Sequence, residues 1–230
     1  MKNAIVKTKL LIFAIILIPI ISFLGCKEDS VSPQTDNLDF SVKGSSDSTD
    51  NIGILRLTEV KILLKDIKLN IAGNQDSNNF QTGPFVLYLN LLTNVNVIGT
   101  GLIPAGTYDK VRFMVHKLEN NETPPDPEFA DANGRYSVIV KGTYGGVPFV
   151  YKSTKSAHQK LTFPGNLQVT ATGKSNITLL VKPYMWFIKN NAYLDPLDPS
   201  NENDIDNNIK NNINNNFKCF VDNDRNGAPD

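Results

Sequence analysis

Apolar and polar positions alternate with a period of two over most of residues 52–182, the pattern of β-strands with one buried face. In the longest stretch, residues 52–71, the alternation slips by one position at Lys65-Asp66. Such a slip would turn the core face outward unless a bulge or a tight turn absorbs it. The pattern therefore predicts two short strands or one long bulged strand. A helix over residues 57–69 is the competing prediction, because leucine, lysine and glutamate are good helix formers.

The later segments have the spacing of an antiparallel β-protein. Residues 85–92 are apolar on both faces, which predicts a central strand. Two glycines in Thr143-Tyr144-Gly145-Gly146 predict a hairpin between residues 136–142 and 147–152. Strands at roughly 8–12-residue spacing predict an all-β fold, an antiparallel β-sandwich of about 7–9 strands. Further strands are predicted at residues 108–118, 161–163, 167–172 and 177–182, and irregular polar or proline-rich loops at residues 73–83 and 119–134.

The period changes after residue 190, where asparagine and aspartate dominate. Apolar residues then recur every four positions, which predicts a short C-terminal helix over about residues 203–217. Ser200 is its predicted N-cap. Asparagine is a poor helix former, so we expect this helix to exist only when its apolar stripe docks on the sandwich. The stripe consists of Ile205, Ile209, Ile213 and Phe217.

The N-terminus has the order of an export signal, with lysines at positions 2, 7 and 9 before the apolar residues 10–24. As a helix these residues would span about 22 Å, short of the roughly 30 Å hydrocarbon core, and Pro19 weakens the helix further. A cleaved leader is therefore favoured over a retained membrane anchor.

The residues Phe23-Leu24-Gly25-Cys26 resemble a bacterial lipobox. The resemblance implies cleavage after Gly25 and lipidation of Cys26, whose acyl chains would anchor the protein in a membrane. Phe23 and Leu24 depart from the usual leucine and small residue. The following Lys27-Glu28-Asp29 resembles the export tag of Bacteroidota-type surface lipoproteins, which implies the outer face of the outer membrane. An ordinary secreted protein is the alternative.

These features divide the chain into a lipoprotein signal peptide (residues 1–25), a flexible tether (26–51), a β-sandwich domain (52–190) and an Asn/Asp-rich segment (191–230).

Without the leader, 20 basic and 23 acidic residues remain, a net charge of about −3. Nucleic acid is therefore not an expected partner, because it selects a basic face. Cys26 and Cys219 are the only cysteines and the two histidines lie far apart, so a zinc site of ordinary spacing is excluded.

Two motifs stand out within residues 54–188, the turn Ile103-Pro104-Ala105-Gly106-Thr107-Tyr108 before a strand and the late segment Leu179-Leu180-Val181-Lys182-Pro183. By these motifs the region resembles a family of bacterial lipoprotein domains expected to form transthyretin- or immunoglobulin-like sandwiches. The resemblance implies a fold and no activity.

The last nine residues have the spacing of a calcium loop. Aspartate, aspartate, asparagine and glycine occupy positions one, three, five and six, so alternate oxygens can converge on one ion. The run also resembles thrombospondin type-3 calcium repeats, although no second repeat and no position-twelve acid are present. A merely solvated acidic end is the alternative. The expected calcium ligands are Asp222, Asp224, Asn226, the Ala228 carbonyl and Asp230.

Tyr184-Met185-Trp186-Phe187 is the densest aromatic cluster. Tyr184 and Trp186 could stack on a sugar ring of a polysaccharide at the cell surface. The alternative is that Trp186 fills the core of the domain.

No motif for a nucleophile, a phosphate loop or a metalloprotease is present. His116 and His158 could in principle meet a serine and an acid in space, but surface histidines are the expected reading. We therefore expect a non-enzymatic cell-envelope surface lipoprotein, a binding or structural module whose partner is a polysaccharide or an envelope protein. The alternative function is a secreted or anchored hydrolase of glycans or peptides, since paired carboxylates need no local motif.

Overall fold

The computed structural model describes residues 36–44, 53–74, 76–89, 91 and 94–230. This part of the chain is mostly β, with several sheets and one C-terminal helix. The predicted leader, Cys26 and Lys27-Glu28-Asp29 lie outside the described residues. None of the helices within the described ranges is long and apolar enough to cross a membrane.

The regular elements follow one another with short connections. The helix α1 spans Glu202–Asn215, and 3-10 helices lie at Pro127–Phe129, Pro183–Phe187 and Pro199–Asn201. The strands in chain order are β1 (Leu38–Gly44), β2 (Leu55–Ile71), β3 (Ser77–Leu89), β4 (Asn96–Gly101), β5 (Gly106–Val115), β6 (Ala130–Asp131), β7 (Gly134–Arg135), β8 (Val138–Tyr144), β9 (Val147–Ser153), β10 (Ala157–Val169), β11 (Ser175–Val181), β12 (Ile188–Lys189), β13 (Ala192–Tyr193) and β14 (Lys218–Val221).

Strand β2 organises the larger sheet. It is one long strand whose pairing with β3 and β5 shifts after Leu64, where Lys65-Asp66 form the irregularity. The prediction of one long bulged strand is confirmed, and the competing helix is wrong. The bulge keeps the apolar residues on one face across the phase slip, because an extra residue restores the alternation.

The larger sheet has six strands in the order β10-β5-β2-β8-β9, with β3 on the other edge of β2. Strand β5 pairs with residues 64–71 of β2 and β8 with residues 55–62, so the two share one edge of that long strand. Strand β3 pairs with β2 alone among the described strands and is not central. It is nevertheless apolar on both faces because both faces of the larger sheet are covered there. Val86, for example, packs against the cluster on the outer face.

Strand β3 also begins earlier than predicted. The expected loop at residues 73–83 shortens to a turn around Gly73 (φ +73°), and pairing with β2 resumes at Ser77. The ladder to an existing strand supplies the hydrogen bonds that the polar composition alone did not indicate.

The smaller sheet has the order β14-β11-β1-β4. Its strand β1 lies within residues that the sequence assigned to a flexible tether, and that prediction is wrong for residues 38–44. Leu38, Phe40 and Val42 alternate and are fully buried. Strand β1 also runs parallel to β11, so the expectation of purely antiparallel pairing fails at this pair.

One apolar cluster unites the two sheets and α1. Trp186, Phe40, Leu64 and Ile209 are all fully buried in it. Burial of each such side chain contributes about 1.5–3 kcal/mol to the free energy of unfolding. The two sheets therefore form one hydrophobic core, and α1 is part of it.

A second, smaller cluster covers the outer face of the larger sheet. Leu63 and Ile139 of the sheet pack there with Leu118, Phe129 and Tyr136. The proline-rich residues 119–134 were predicted to be irregular, yet they include a 3-10 helix and the short β6-β7 hairpin. The buried Phe129 holds this segment on the sheet.

The β8-β9 hairpin and α1 confirm two local predictions. Gly145 and Gly146 have φ angles of +56° and +83°, which the two-residue turn between β8 and β9 requires. Helix α1 buries the predicted isoleucine stripe. Its N-cap is Asn201 rather than Ser200, because a 3-10 turn capped by Asp198 comes first. Strand β14, which follows α1, was not predicted.

Candidate functional site

The acidic loop begins where β14 ends. Strand β14 pairs with β11, and the Asp222 amide extends this contact by donating to the Asn176 carbonyl at 3.0 Å. The side chain of Asn176 donates back to the Asp222 carbonyl at 2.7 Å. The sheet therefore fixes the first residue of the loop.

The Asp222 carboxylate is fully buried and organises the loop. Its Oδ2 accepts the Thr178 hydroxyl at 2.6 Å, and its two oxygens accept the Gly227 amide at 3.2 and 3.1 Å. The contact from position six to position one curls the chain back on itself. Gly227 has φ +79°, a left-handed conformation that favours glycine, and a Cβ there would lie 2.5 Å from Lys43 Nζ and would displace that side chain.

The other two acids close the loop at its exposed side. Asp230 Oδ2 accepts the backbone and side-chain N–H groups of Asn223, both at 2.8 Å. The Asp230 amide donates to the Val221 carbonyl at 3.1 Å, so the two ends of the loop meet. Asp224 accepts the Asn226 amide at 3.1 Å.

Three carboxylates consequently converge. Oxygens of Asp222, Asp224 and Asp230 lie within 4.8 Å of one another, so this group could hold a metal ion. Among the described residues no lysine, arginine or histidine forms an ion pair with any of the three. The structure thus brings together three of the five residues expected from the sequence.

Asn226 and Ala228 play a different part. The Asn226 Oδ1 accepts the Ala228 amide at 2.7 Å, and the Asn226 side-chain nitrogen donates to Asp224 at 2.8 Å. These bonds support the curl of the loop. In this arrangement the Asn226 oxygen faces the loop backbone.

The acids before α1 serve local structure. Asp195 accepts the Leu197 amide and Asp198 accepts the Ser200 amide, at 2.8 and 2.9 Å. Asp204 pairs with Lys189 at 2.6 Å. The convergent group therefore takes none of its carboxylates from this region.

The loop also contacts β1. Arg225 forms an ion pair with the buried Asp39, which Lys174 also contacts at 3.0 Å. Lys43 donates to the Gly227 carbonyl at 3.1 Å. Two contacts therefore join the C-terminal loop to the first described strand, a link between distant parts of the sequence.

The aromatic cluster is not an exposed platform. Trp186 is 0% and Tyr184 2% exposed, so the expected sugar-stacking surface is contradicted by their burial. Pro183–Phe187 forms a 3-10 helix that turns both rings into the core, where Trp186 packs under α1. Met185 is the exposed member.

His116 meets a serine and an acid. Its Nε2 lies 3.1 Å from Glu119 Oε1, which can only accept, and its Nδ1 lies 3.2 Å from Ser156 Oγ. A neutral His116 that donates to Glu119 would accept the Ser156 proton. However, the Glu119 side chain is 65% exposed, and such ion pairs contribute little. His158 lies at an exposed position of β10, opposite Met114.

A charge network on β2 was not predicted, because its members are far apart in the chain. The Lys61 ammonium contacts Asp126 at 2.7 Å and Glu128 at 2.8 Å, and Lys141 contacts Glu128 at 2.6 Å. Tyr88 donates to Asp126 at 3.0 Å. The network fastens the proline-rich segment to the larger sheet.

Its pKa shifts keep the network charged. Burial alone would lower the pKa of Lys61, but hydrogen bonds to Asp126 and Glu128 outweigh it and raise that pKa above its ordinary value. Burial likewise opposes ionisation of Asp126, yet the Lys61 contact lowers its pKa. Groups held ionised in this way are poor proton donors and acceptors near neutral pH.

Comparisons with protein-family models, curated proteins and solved structures find no match to this chain. The resemblances to a lipobox, to sandwich lipoprotein domains and to calcium repeats therefore remain predictions from the sequence.

Proposed function

We propose that this protein is a non-enzymatic surface lipoprotein of the cell envelope, a β-sandwich module that binds or organises an envelope polysaccharide or protein. Its C-terminal loop binds calcium and stabilises the domain. The membrane partner is the outer membrane, reached through lipid on Cys26. The calcium-binding part of the proposal is carried by the convergence of Asp222, Asp224 and Asp230 within 4.8 Å.

The distances suit calcium. Calcium–oxygen bonds are about 2.3–2.6 Å long, so two oxygens on one ion can be up to about 5 Å apart. Magnesium shares the preference for oxygen ligands but demands near-ideal octahedral geometry, which an irregular loop supplies less readily. Carboxylate oxygens are hard ligands that favour these ions over zinc. Water would complete the shell on the exposed side of Asp224 and Asp230.

Calcium would act as a clip for the smaller sheet. The buried Asp222 is tied to β11 through Thr178, while Arg225 and Gly227 contact β1. A calcium ion shared by the three carboxylates offsets most of their mutual repulsion and steadies the loop. Because β1 is the described strand nearest to Cys26 in the sequence, the clip would steady the part of the sheet that comes first after the lipid anchor along the chain.

Calcium titration of the full chain, purified in detergent, tests the loop. Weak extracellular sites have dissociation constants of about 10⁻⁴ M. With such a site, calcium at about a hundred times the dissociation constant should raise the free energy of unfolding by about 2.7 kcal/mol. Calorimetry and thermal melts measure the two effects. Replacement of Asp224→Asn together with Asp230→Asn should abolish both, and EDTA should lower the melting temperature of the native chain alone.

Asp204→Asn is the matched control, since it removes an exposed carboxylate outside the loop. The paired variant avoids Asp222, whose burial makes it necessary for the fold. If calcium gives no heat and no shift in melting temperature with the native chain, the calcium proposal fails.

The anchor is tested separately by incorporation of labelled palmitate in the producing bacterium. The native chain should be labelled and Cys26→Ser should not. Replacing Lys27, Glu28 and Asp29 with alanine should protect the protein from protease added to intact cells. An unlabelled native chain would contradict the lipoprotein assignment.

A second candidate function, hydrolysis of a glycan or peptide, is favoured by one observation, the contacts of His116 with Ser156 and Glu119. A nucleophilic Ser156 should react with a fluorophosphonate probe, and Ser156→Ala should not. Absence of labelling in the native chain would remove this serine-based alternative.

A further inference from the structure

A cleft of about 500 Å³ lies on the outer face of the larger sheet, away from the acidic loop. Its polar lining comes from three adjacent strands and from the β2 bulge. The side chains that matter are Asp66 and Lys68 of β2, Arg112 of β5, and His158 and Lys160 of β10.

Three cations stand side by side in this cleft. Lys68 is paired directly with Arg112, and Arg112 with Lys160, in the ladders between β2, β5 and β10. Directly opposed residues present their side chains on the same face about 4.5–5.5 Å apart, and like charges in such pairs are destabilising. The row of positive charges therefore destabilises the fold, so folding stability does not explain its presence.

The local acids leave most of this charge uncompensated. Asp66 contacts Lys68 at 3.5 Å, and Asp109 pairs with the neighbouring Lys110. Among the described residues, no ion pair or side-chain hydrogen bond involves the Arg112 guanidinium or the Lys160 ammonium. The Arg112 Nε is buried and has no partner, and an unmet buried donor is costly.

We propose that this cleft binds a phosphate-type oxyanion, with Arg112 at its centre and Lys68 and Lys160 on either side. A guanidinium offers paired donors that match phosphate oxygens, and the flanking ammonium groups add charge. A tetrahedral dianion has enough oxygens for all three cations, whereas a carboxylate has two oxygens and one charge. The ligand is either free phosphate or the phosphomonoester headgroup of a lipid such as phosphatidic acid, since only these carry the dianion.

Phosphate titration of the full chain in detergent tests the cleft. The buffer contains no divalent cation, so the acidic loop takes no part in the measurement. A negative result would then concern phosphate binding by the cleft and not calcium binding by the loop. The native chain should bind inorganic phosphate at one site. Arg112→Gln should weaken binding at least about tenfold, because a hydrogen bond to a charged group is worth about 1.5–3 kcal/mol.

Two further variants separate recognition from folding. Lys160→Gln changes an exposed side chain of the cleft and should also weaken phosphate binding, while Lys117→Gln removes an exposed cation outside it and should not. Without phosphate, Arg112→Gln should melt no lower than the native chain, because it removes a repelling charge. Absence of phosphate and vesicle binding, or binding that is equal in all variants, would overturn the proposal.

Vesicle flotation distinguishes the two sources of phosphate. Vesicles that contain phosphatidic acid are compared with vesicles of phosphatidylcholine, and the apolar residues 10–24 contribute equally to every variant. A requirement for Arg112 with phosphatidic acid supports a lipid headgroup as ligand. Binding of inorganic phosphate without an effect of Arg112→Gln on flotation supports a free phosphate.

Discussion

Trp186 shows at the scale of one residue how the fold uses an aromatic cluster. Among the described residues it is the largest fully buried side chain, and its 3-10 helix packs against α1. The next residue, Phe187, also lies in the core, where its ring contacts those of Phe149 and Tyr151 of β9. The aromatic run is dense because its neighbouring residues fill the same core. An aromatic run in a sequence is therefore not by itself a binding surface.

Trp186→Ala should lower the free energy of unfolding by about 3–5 kcal/mol, because it leaves a cavity in the core. Urea denaturation followed by circular dichroism measures this loss. Met185→Ala, at a residue that is 44% exposed, should change stability by no more than about 0.5 kcal/mol. Native tryptophan emission should be blue-shifted and resist acrylamide; strong quenching would contradict burial.

Asp131 makes stability depend on acid pH. Its hydrogen bond from Lys152, helped by Asn133 and Tyr136, lowers its pKa from 3.8 to about 2. A carboxylate with a lowered folded-state pKa stabilises the fold above its unfolded pKa, and this contribution is lost as the pH falls through the folded value.

The stability difference between the native chain and Asp131→Asn should therefore shrink as the pH falls from about 4 to about 2. Chemical denaturation at several pH values gives this difference. A difference that stays constant over that range would show that the Lys152 contact does not shift the pKa.

At the scale of elements, α1 is a helix made by its docking. Its sequence is rich in asparagine, but Ile205, Ile209 and Ile213 are fully buried. The side chain of Asn208 donates to the carbonyls of Trp186 and Ile188, and Gln159 donates to the last-turn carbonyl of Ile213. These contacts offset the weak helix propensity of asparagine.

Ile209→Ala should lower the free energy of unfolding by about 2–5 kcal/mol through loss of core contacts. Asn207→Ala, at an exposed position of the same helix, should leave stability unchanged or raise it by a few tenths of a kcal/mol. Denaturant melts compare the two. Equal effects would mean that propensity rather than docking holds α1.

The acidic loop depends on Gly227 for its curl. Gly227→Ala should lower the free energy of unfolding by at least about 1–2 kcal/mol, because φ +79° is unfavourable for alanine and its Cβ would meet Lys43. Gly165→Ala is the control, since no atom lies within 4 Å of the added Cβ. Thermal melts measure both, and a neutral Gly227→Ala would contradict the loop geometry.

At the scale of the whole molecule, the two ends of the described chain meet in the smaller sheet. Strand β1 lies between β11 and β4, and the loop after β14 contacts β1 through Arg225 and Lys43. Leu38–Gly44, within the segment assigned to a tether, is therefore part of the folded domain.

Phe40→Ala should lower the free energy of unfolding by about 3–5 kcal/mol, although the residue lies in a polar stretch of the sequence. Its ring is fully buried and lies 5.9 Å from that of Phe80. Val97→Ala, on the neighbouring β4 and 44% exposed, is the matched control. Equal denaturation curves for the native chain and Phe40→Ala would show that β1 is dispensable.

Local patterns were sufficient for several elements. The bulge in β2, the β8-β9 turn and the isoleucine stripe of α1 follow from neighbours in the sequence, and the structure contains each of them. Strands β1 and β14 were missed because each is short and bordered by polar residues. Their burial depends on partners that are distant in sequence, such as Ile177 of β11 beside Phe40.

The candidate sites divide in the same way. The spacing of the acids along the sequence was enough to predict that Asp222, Asp224 and Asp230 converge. A curled loop is a local structure, and its glycine and its acids are near one another in the sequence. The Lys61 network and the row of Lys68, Arg112 and Lys160 could not be found in this manner. Their members lie on different strands, and only the pairing register makes them neighbours.

The sequence by itself therefore determined which residues alternate, where turns and the helix form, and which loop gathers carboxylates, since these depend on contacts within a few residues. The tertiary structure decided that the aromatic cluster is core, that β1 belongs to the domain and that three cations share a cleft. The physical reason is that burial and charge proximity depend on strand pairing between residues far apart in the chain.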